Sequence, residues 1–245
     1  MKYPVLLPNI FDYPFTYESS LKLQIGDYVN VPFGKKTITG VIWDKFENNN
    51  NKSFKIKSIV KKLNIEPLKK NTIDFLNWFS EYNLTPLGMA LKLHLLSGNG
   101  VERKNKSEYE IYQNKFTTEK FNLSNEQEKV FKNIIKNDSF FRVHLLQGTT
   151  GSGKTIVYFK AIEKIISRGL QTLILLPEIG LTGEFEKKFK NFFGFEAAIW
   201  HSKITPKKKK VIWSGLSNGN IKVIIGARSA LFLPFKNLGL IVVDE

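Results

Sequence analysis

The chain has 245 residues and a formal net charge of +15 at pH 7, from 37 Lys and Arg against 22 Asp and Glu. This length suggests one or two domains; no apolar run approaches the roughly 18 residues of a membrane-spanning helix, and the lack of cysteine excludes disulfides and thiolate metal sites. We therefore expect a cytoplasmic protein without a membrane partner, whose charge favours nucleic acid, although a Lys- and Asn-rich composition also arises in AT-rich genomes.

The first segment, residues 1–99, has apolar and polar residues at the spacing of short strands. Residues 27–43 are predicted to form a hairpin, and residues 55–60 a third strand. The spacing of apolar residues then changes from that of strands to that of helices. Asn71 is placed to cap one helix, and Thr85 precedes another that starts at a proline. The pattern predicts a small β-rich domain closed by two helices.

Residues 100–122 are polar and charged and are predicted to form a linker. From residue 123 to residue 245 the pattern is α/β, with strands alternating with helices, which predicts a parallel sheet. Ligands of such sheets bind at the carboxyl ends of the strands. The predicted strands are residues 142–147, 172–176, 197–200, 221–226 and 240–243.

The stretch GTTGSGKT at residues 148–155 matches the phosphate-loop pattern G-x-x-x-x-G-K-[ST], between a predicted strand and a predicted helix. Glycines let backbone N–H groups point at phosphate oxygens, and the helix N-terminus adds positive partial charge. Lys154 is expected to contact the β- and γ-phosphates of ATP, and the Thr155 hydroxyl to bind Mg²⁺. The predicted nucleotide-binding residues are Gly148, Thr149, Thr150, Gly151, Ser152, Gly153, Lys154 and Thr155.

The last predicted strand ends in Asp244-Glu245, which is typical of the second nucleotide motif of P-loop enzymes. Asp244 is predicted to hold Mg²⁺ through water, and Glu245 to orient and deprotonate the attacking water. With Lys154 they form the predicted catalytic set. Any strand can end in acidic residues, so a solvated strand end is the alternative. The chain stops inside this motif, and we expect it to be the front part of a longer protein.

Several longer stretches carry a family resemblance. In the α/β part they are Leu175–Thr182, His201-Ser202, Gly226–Phe235 and Leu240–Glu245; in the first segment they are Phe15–Tyr17, Gly26, Val31–Gly34, Lys57 and Ile65–Pro67. Together they resemble the primosomal replication-restart helicases, a family of superfamily-two DNA helicases. The resemblance implies a RecA-like P-loop ATPase lobe at 123–245, preceded by a small β-rich domain at 1–99 that binds the 3′ end of DNA. The linker 100–122 stands where the family has a winged helix.

The function implied by the resemblance is that of an ATP-dependent 3′-to-5′ DNA helicase, which recognises arrested forks and restarts replication by primosome assembly. The implied partners are forked and single-stranded DNA, primosome proteins and single-strand-binding protein. The implied cofactors are ATP and Mg²⁺, with zinc only in a C-terminal module outside this sequence. The family also needs a second lobe with an arginine finger, so we expect the chain alone to be inactive.

The resemblance assigns further residues to binding roles. At the 3′ end, aromatic side chains would stack on the terminal base and a lysine would meet a phosphate, through Phe15, Thr16, Tyr17, Gly34 and Lys57. The family usually has Asp where Thr16 stands. In the ATPase lobe, Gln127 would recognise adenine, and the tracked DNA strand would be contacted by Thr182, Arg228 and Ser229.

Two other functions stay open at this point. A P-loop small-molecule kinase would bind ATP without DNA, and the stretch Gly226–Phe235 argues against it. A DNA-binding adaptor without ATP turnover is the second alternative. The intact Lys154, Thr155, Asp244 and Glu245 argue against an adaptor.

Overall fold

The computed structural model describes residues 1–44, 56–95, 112, 122–136, 141–177 and 183–244. By its internal contacts the chain divides into two compact units. The first consists of Met1–Asn105, Thr205–Asn218 and Phe232–Pro234, and the second of Lys106–Ile204, Gly219–Leu231 and Phe235–Glu245. One helix from the α/β part therefore belongs to the first unit. The predicted linker falls almost wholly outside the described residues and stays a prediction.

The helices of the described chain are α1 Lys70–Tyr82, α2 Leu87–His94, α3 Asn125–Ile135, α4 Lys154–Ser167, α5 Gly183–Phe193 and α6 Pro206–Ser217. The two helices predicted for the first segment are confirmed as α1 and α2, but Asn71 does not cap α1, because the helix begins at Lys70 after Lys69. A carboxylate from a distant loop caps α2, because the Leu87 N–H donates to Oδ1 of Asp12 at 2.7 Å. Among these described helices, none is long and apolar enough to cross a bilayer.

The first unit contains a six-stranded sheet. Its strands are β1 Lys2–Leu6, β2 Phe15–Glu18, β3 Tyr28–Phe33, β4 Lys36–Ile42, β5 Lys57–Ser58 and β6 Lys61–Lys62, in the order β5-β2-β1-β4-β3-β6. The pairs are antiparallel except for β2 with β5. The predicted hairpin is confirmed as β3 and β4, which turn at Gly34 with a φ of +60°.

One feature of this sheet differs from the sequence prediction. The single strand expected at residues 55–60 is replaced by the short strands β5 and β6, which pair with different partners and flank the buried Ile59. The strand β1 lies between β2 and β4, where both faces are covered, so Val5 and Leu6 are both buried.

The second unit is built on a four-stranded parallel sheet, as predicted. Its strands are β7 Gln171–Leu175, β8 Ala198–Trp200, β9 Val223–Gly226 and β10 Leu238–Val243, in the order β10-β7-β9-β8. Buried side chains of α4, α5 and the sheet form one apolar cluster, with Phe159, Ile162, Ile174, Phe189 and Phe193 at its centre. This core supports the carboxyl edge of the sheet, where ligands of parallel sheets bind.

The strand predicted at residues 142–147 is not a strand in the structure, and its side chains are exposed except for the half-buried Leu146, which packs against the core. Val143 is 82% exposed and Leu145 is 90% exposed. The prediction rested on the apolar content of this segment. Apolar content leads to burial only where a sheet offers hydrogen-bonding neighbours and covering helices. Within the described chain, the sheet ends at β10 and does not include this segment.

Candidate functional site

The phosphate loop has the backbone shape that its glycines allow. Gly151 and Gly153 have φ values of +82° and +81°, which side chains with a Cβ rarely adopt. Gly153 is the N-cap of α4, and Lys154 is the first residue of this 14-residue helix. The positive end of the helix dipole therefore points at the loop, as an anion site requires.

The Lys154 side chain folds back over this loop. Its ammonium group donates hydrogen bonds to the backbone oxygens of Gly148 at 2.7 Å and Thr149 at 3.0 Å. A cation held against loop carbonyls is in a position where phosphate oxygens can replace them as acceptors. The residues present therefore fit a nucleotide phosphate.

A tyrosine binds one of the two predicted magnesium ligands. The phenol of Tyr158, one helical turn after Thr155, donates a hydrogen bond of 2.6 Å to Oδ2 of Asp244. Burial, followed by the bond to Asp244, raises the pKa of Tyr158 above its ordinary value. No local signal in the sequence marks Tyr158, since a tyrosine in an apolar helix stretch is ordinary.

The donor set around this tyrosine suits magnesium. Within the described chain, no group of three or more His, Cys, Asp and Glu side chains is placed to hold a metal. One hydroxyl and one carboxylate, from Thr155 and Asp244, fit Mg²⁺, which keeps several waters and takes further oxygens from phosphates. Glu245, the other predicted catalytic carboxylate, lies outside the described residues.

Gln127 lies beside the phosphate loop, with both ends of its amide in use. Its Oε1 accepts from the Ser124 N–H at 3.0 Å, and the Ser124 hydroxyl accepts from the Gln127 N–H, so the two residues form the capping box of α3. Its Nε2 donates to the Ser152 oxygen at 3.2 Å. The structure thus places Gln127 at the nucleotide loop, and adenine recognition by its amide stays a prediction.

Other predicted residues follow strands of the parallel sheet. Arg228 and Ser229 are exposed in the 3-10 helix Arg228–Phe232, shortly after the carboxyl end of β9, and Asp244 follows β10. Because all four strands are parallel, these residues lie at the same edge of the sheet. Thr182 lies outside the described residues.

The residues predicted to bind a DNA 3′ end cluster on β2, β5 and the β3–β4 turn. Tyr17 lies opposite Lys57 in the parallel pairing of β2 with β5, and its phenol donates to the Pro32 oxygen at 3.1 Å. Thr16 and Lys57 are exposed, and the space beside Gly34 is open, because no atom of the described residues, apart from its two chain neighbours, lies within 4 Å of the position that a Cβ would take.

Tyr17 itself is only 4% exposed, and burial raises the pKa of its phenol. Its ring is therefore enclosed in the core and not available for base stacking in this structure. The residue instead ties β2 to the strand end that precedes Gly34. A direct stacking role is better suited to partly exposed aromatics nearby.

Such aromatics form a cluster around Phe15. The ring centroids of Phe11, Tyr13 and Phe33 lie 5.4, 5.3 and 5.5 Å from that of Phe15. Phe11 is 36% exposed, and the other three are half-buried. Of these four aromatics only Phe15 was predicted as a site residue, although residues 11, 13 and 15 alternate along the sequence.

Comparison with known proteins gives two family matches. Residues 4–95 match the 3′ DNA-binding domain (3′BD) described for PriA, and residues 124–245 match the DEAD/DEAH box helicase domain. The chain is 39% identical over 243 residues to the replication restart protein PriA of Rickettsia conorii, and 40% identical over 245 residues to that of Rickettsia prowazekii. Each alignment covers 98% of this chain and 36% of the relative.

A more distant relative aligns over a longer stretch. The replication restart protein PriA of Haemophilus influenzae is 28% identical over 316 aligned positions, which cover 98% of this chain and 43% of the relative. The chain therefore spans well under half of the length of each of these relatives. The 316 positions exceed the 245 residues of this chain, so that relative carries additional residues within the aligned region.

Proposed function

Because this chain belongs to the family of the replication restart protein PriA, with a 3′ DNA-binding domain followed by a DEAD/DEAH box helicase domain, we propose that it serves an ATP-dependent 3′-to-5′ DNA helicase at arrested replication forks. In this proposal, residues 1–99 bind the 3′ end of a nascent strand and residues 123–245 form the first ATP-binding lobe. The 245-residue chain itself binds fork DNA and nucleotide without unwinding DNA.

The observation that carries the proposal is the placement of Lys154 over the phosphate loop and of Asp244 on Tyr158, one helical turn after Thr155, in the second unit. Lys154 and the loop backbone bind the phosphates, while Thr155 and Asp244 hold the magnesium ion. When bound, ATP would supply the free energy of its hydrolysis to the helicase. The exposed Arg228 and Ser229, at the same sheet edge, are suited to contact a DNA backbone.

The DNA-end site is proposed around the aromatic cluster and the open space at Gly34. Phe15 and its neighbours offer stacking surface to a terminal base, while Lys57 supplies a cation for a phosphate. Thr16, exposed on β2, can hydrogen-bond a 3′ hydroxyl through its own hydroxyl.

The linker 100–122 takes the place of a winged-helix domain in this proposal. The length of the alignment with the Haemophilus influenzae relative is compatible with a further segment in that relative. The Rickettsia relatives align over a length close to that of this chain, which is compatible with an equally short linker. We extend the proposal to the partners of the family: forked and single-stranded DNA, primosome proteins and single-strand-binding protein.

Two binding measurements on the 245-residue chain test this proposal. Fluorescence anisotropy with a labelled fork, and fluorescence of mant-ATP with MgCl₂, are each expected to show saturable binding. A small-molecule kinase would bind mant-ATP without the fork, and an adaptor would bind the fork without mant-ATP. Either of these single-ligand results would contradict the proposal.

A further inference from the structure

Tyr158 lies on α4 one turn after Thr155, with its hydroxyl at the end of β10. The residue is 6% exposed and its ring packs against Phe159, with centroids 5.2 Å apart. The Asp244 carboxylate, which follows β10, receives its hydrogen bond. One buried phenol thus connects the helix of the phosphate loop to the acidic end of the neighbouring sheet.

The direction of this hydrogen bond follows from the groups involved. A carboxylate can only accept, so the Tyr158 hydroxyl donates its one proton to Asp244.

This direction leaves Asp244 able to bind a cation. The phenol holds Oδ2 of the carboxylate in one orientation, and Oδ1 can then face water or metal.

We propose that Tyr158 is a positioning residue of the metal–nucleotide site, whose hydroxyl orients the Asp244 carboxylate for Mg²⁺. This inference rests on the proposed function, since it concerns the same ATP site. Core packing alone needs only the aromatic ring, which phenylalanine also supplies. The hydroxyl is therefore the part of the side chain that the inference assigns to metal binding.

The test compares Tyr158→Phe with the unchanged 245-residue chain in the binding of mant-ADP, once with MgCl₂ and once with EDTA. We expect the gain in affinity that Mg²⁺ provides to fall about tenfold or more, as is usual when a group that orients a metal ligand is removed. The affinity in EDTA is expected to stay unchanged, because the phosphate contacts of the loop do not involve the phenol. Tyr3→Phe, which removes a phenol bonded to the Leu21 oxygen in the first unit, is the matched control.

A double-mutant cycle with Asp244→Asn separates orientation from general weakening. If Tyr158 acts through Asp244, Tyr158→Phe lowers the gain in affinity from Mg²⁺ much less in the Asp244→Asn background than in the unchanged chain. An unchanged Mg²⁺ gain in Tyr158→Phe, with normal binding by the unchanged chain, would overturn this inference alone. Absence of Mg²⁺-dependent binding by the unchanged chain would overturn the proposed function and this inference with it.

Discussion

Nε2 of His94 and the phenol oxygen of Tyr28 lie 2.8 Å apart in the interior of the first unit, where they join α2 to β3. Nδ1 of the same ring lies 2.7 Å from the backbone oxygen of Phe232. Because a carbonyl oxygen only accepts, Nδ1 carries the proton and Nε2 of the neutral ring accepts from Tyr28. The indole of Trp213 donates to the backbone oxygen of His94 at 2.9 Å and packs against its ring. The imidazole is thus held neutral among aromatic rings.

This arrangement predicts a pH-dependent stability. Burial lowers the pKa of His94 from 6.5 to about 4, against a smaller opposite effect of the bond to Phe232. The unfolded chain therefore takes up this proton at higher pH than the folded chain does. The stabilisation is fully present above about pH 6.5 and is lost as the pH falls towards 4, in total on the order of 3 kcal/mol.

Urea unfolding between pH 7.5 and 4.5 measures this contribution. We expect His94→Gln to have a flatter dependence of unfolding free energy on pH than the unchanged chain. The exposed His144→Gln serves as control, and its dependence should match that of the unchanged chain. Parallel curves for His94→Gln and the unchanged chain would contradict the prediction.

The phosphate loop gives a prediction that separates the two proposed binding functions. Lys154→Ala is expected to abolish mant-ATP binding, because it removes the cation placed over the loop. Binding of a 3′-ended DNA strand is expected to stay within about twofold, since its proposed site lies in the other unit. Lys164→Ala, an exposed lysine in the last turn of α4, is the control for lost positive charge. An equal loss of DNA binding in Lys154→Ala would refute this separation.

The 245-residue chain is predicted to show almost no ATP hydrolysis, with or without DNA. In related P-loop enzymes a transition-state arginine from another element accelerates turnover by roughly 10³–10⁵. The chain has four arginines, Arg103, Arg142, Arg168 and Arg228, and we propose none of them for this role. A phosphate-release assay with single-stranded DNA is the measurement. Robust DNA-stimulated turnover would mean that the site is completed in some other way.

The proposed DNA-end site predicts a preference for a free 3′ hydroxyl over a 3′ phosphate. A pocket around a hydroxyl has little space for a phosphate group, and added charge gains little without a second cation nearby. Phe15→Ala is expected to weaken binding of the hydroxyl end by about 1–3 kcal/mol through lost stacking. Fluorescence anisotropy with both strand ends measures the difference, with the exposed Tyr82→Ala on α1 as control.

Two further variants distinguish direct contact from support in this site. Tyr17→Phe removes only the hydrogen bond to the Pro32 oxygen. We expect this change to displace the Gly34 turn and so to reduce the difference in affinity between the 3′ hydroxyl and 3′ phosphate ends. Lys57→Ala is expected to weaken binding of both strand ends alike. It is also expected to reduce the salt dependence of binding by the equivalent of about one phosphate contact. Equal binding of both ends by the unchanged chain would mean that Thr16 does not replace the Asp of the family.

Local patterns in the sequence determined the elements of the nucleotide site. The glycines of the phosphate loop, the capping box of Ser124 with Gln127 and the alternation of strands with helices each depend on residues a few positions apart. Such features follow from backbone conformation and short-range hydrogen bonds, so the phosphate loop and the alternation of elements were predicted from the sequence alone. The order of the motifs also identified the family that the comparisons support.

Only the tertiary structure decided which side chains meet and which are covered. The contact of Tyr158 with Asp244 spans 86 positions, and no periodicity marks either residue as the partner of the other. Tyr17 is enclosed, although the family resemblance predicted that it stacks on a base, and Val143 and Leu145 are exposed, although the apolar pattern predicted a strand. Burial and long-range hydrogen bonds depend on which surfaces the fold brings together, a property of the whole packed chain that local composition does not contain.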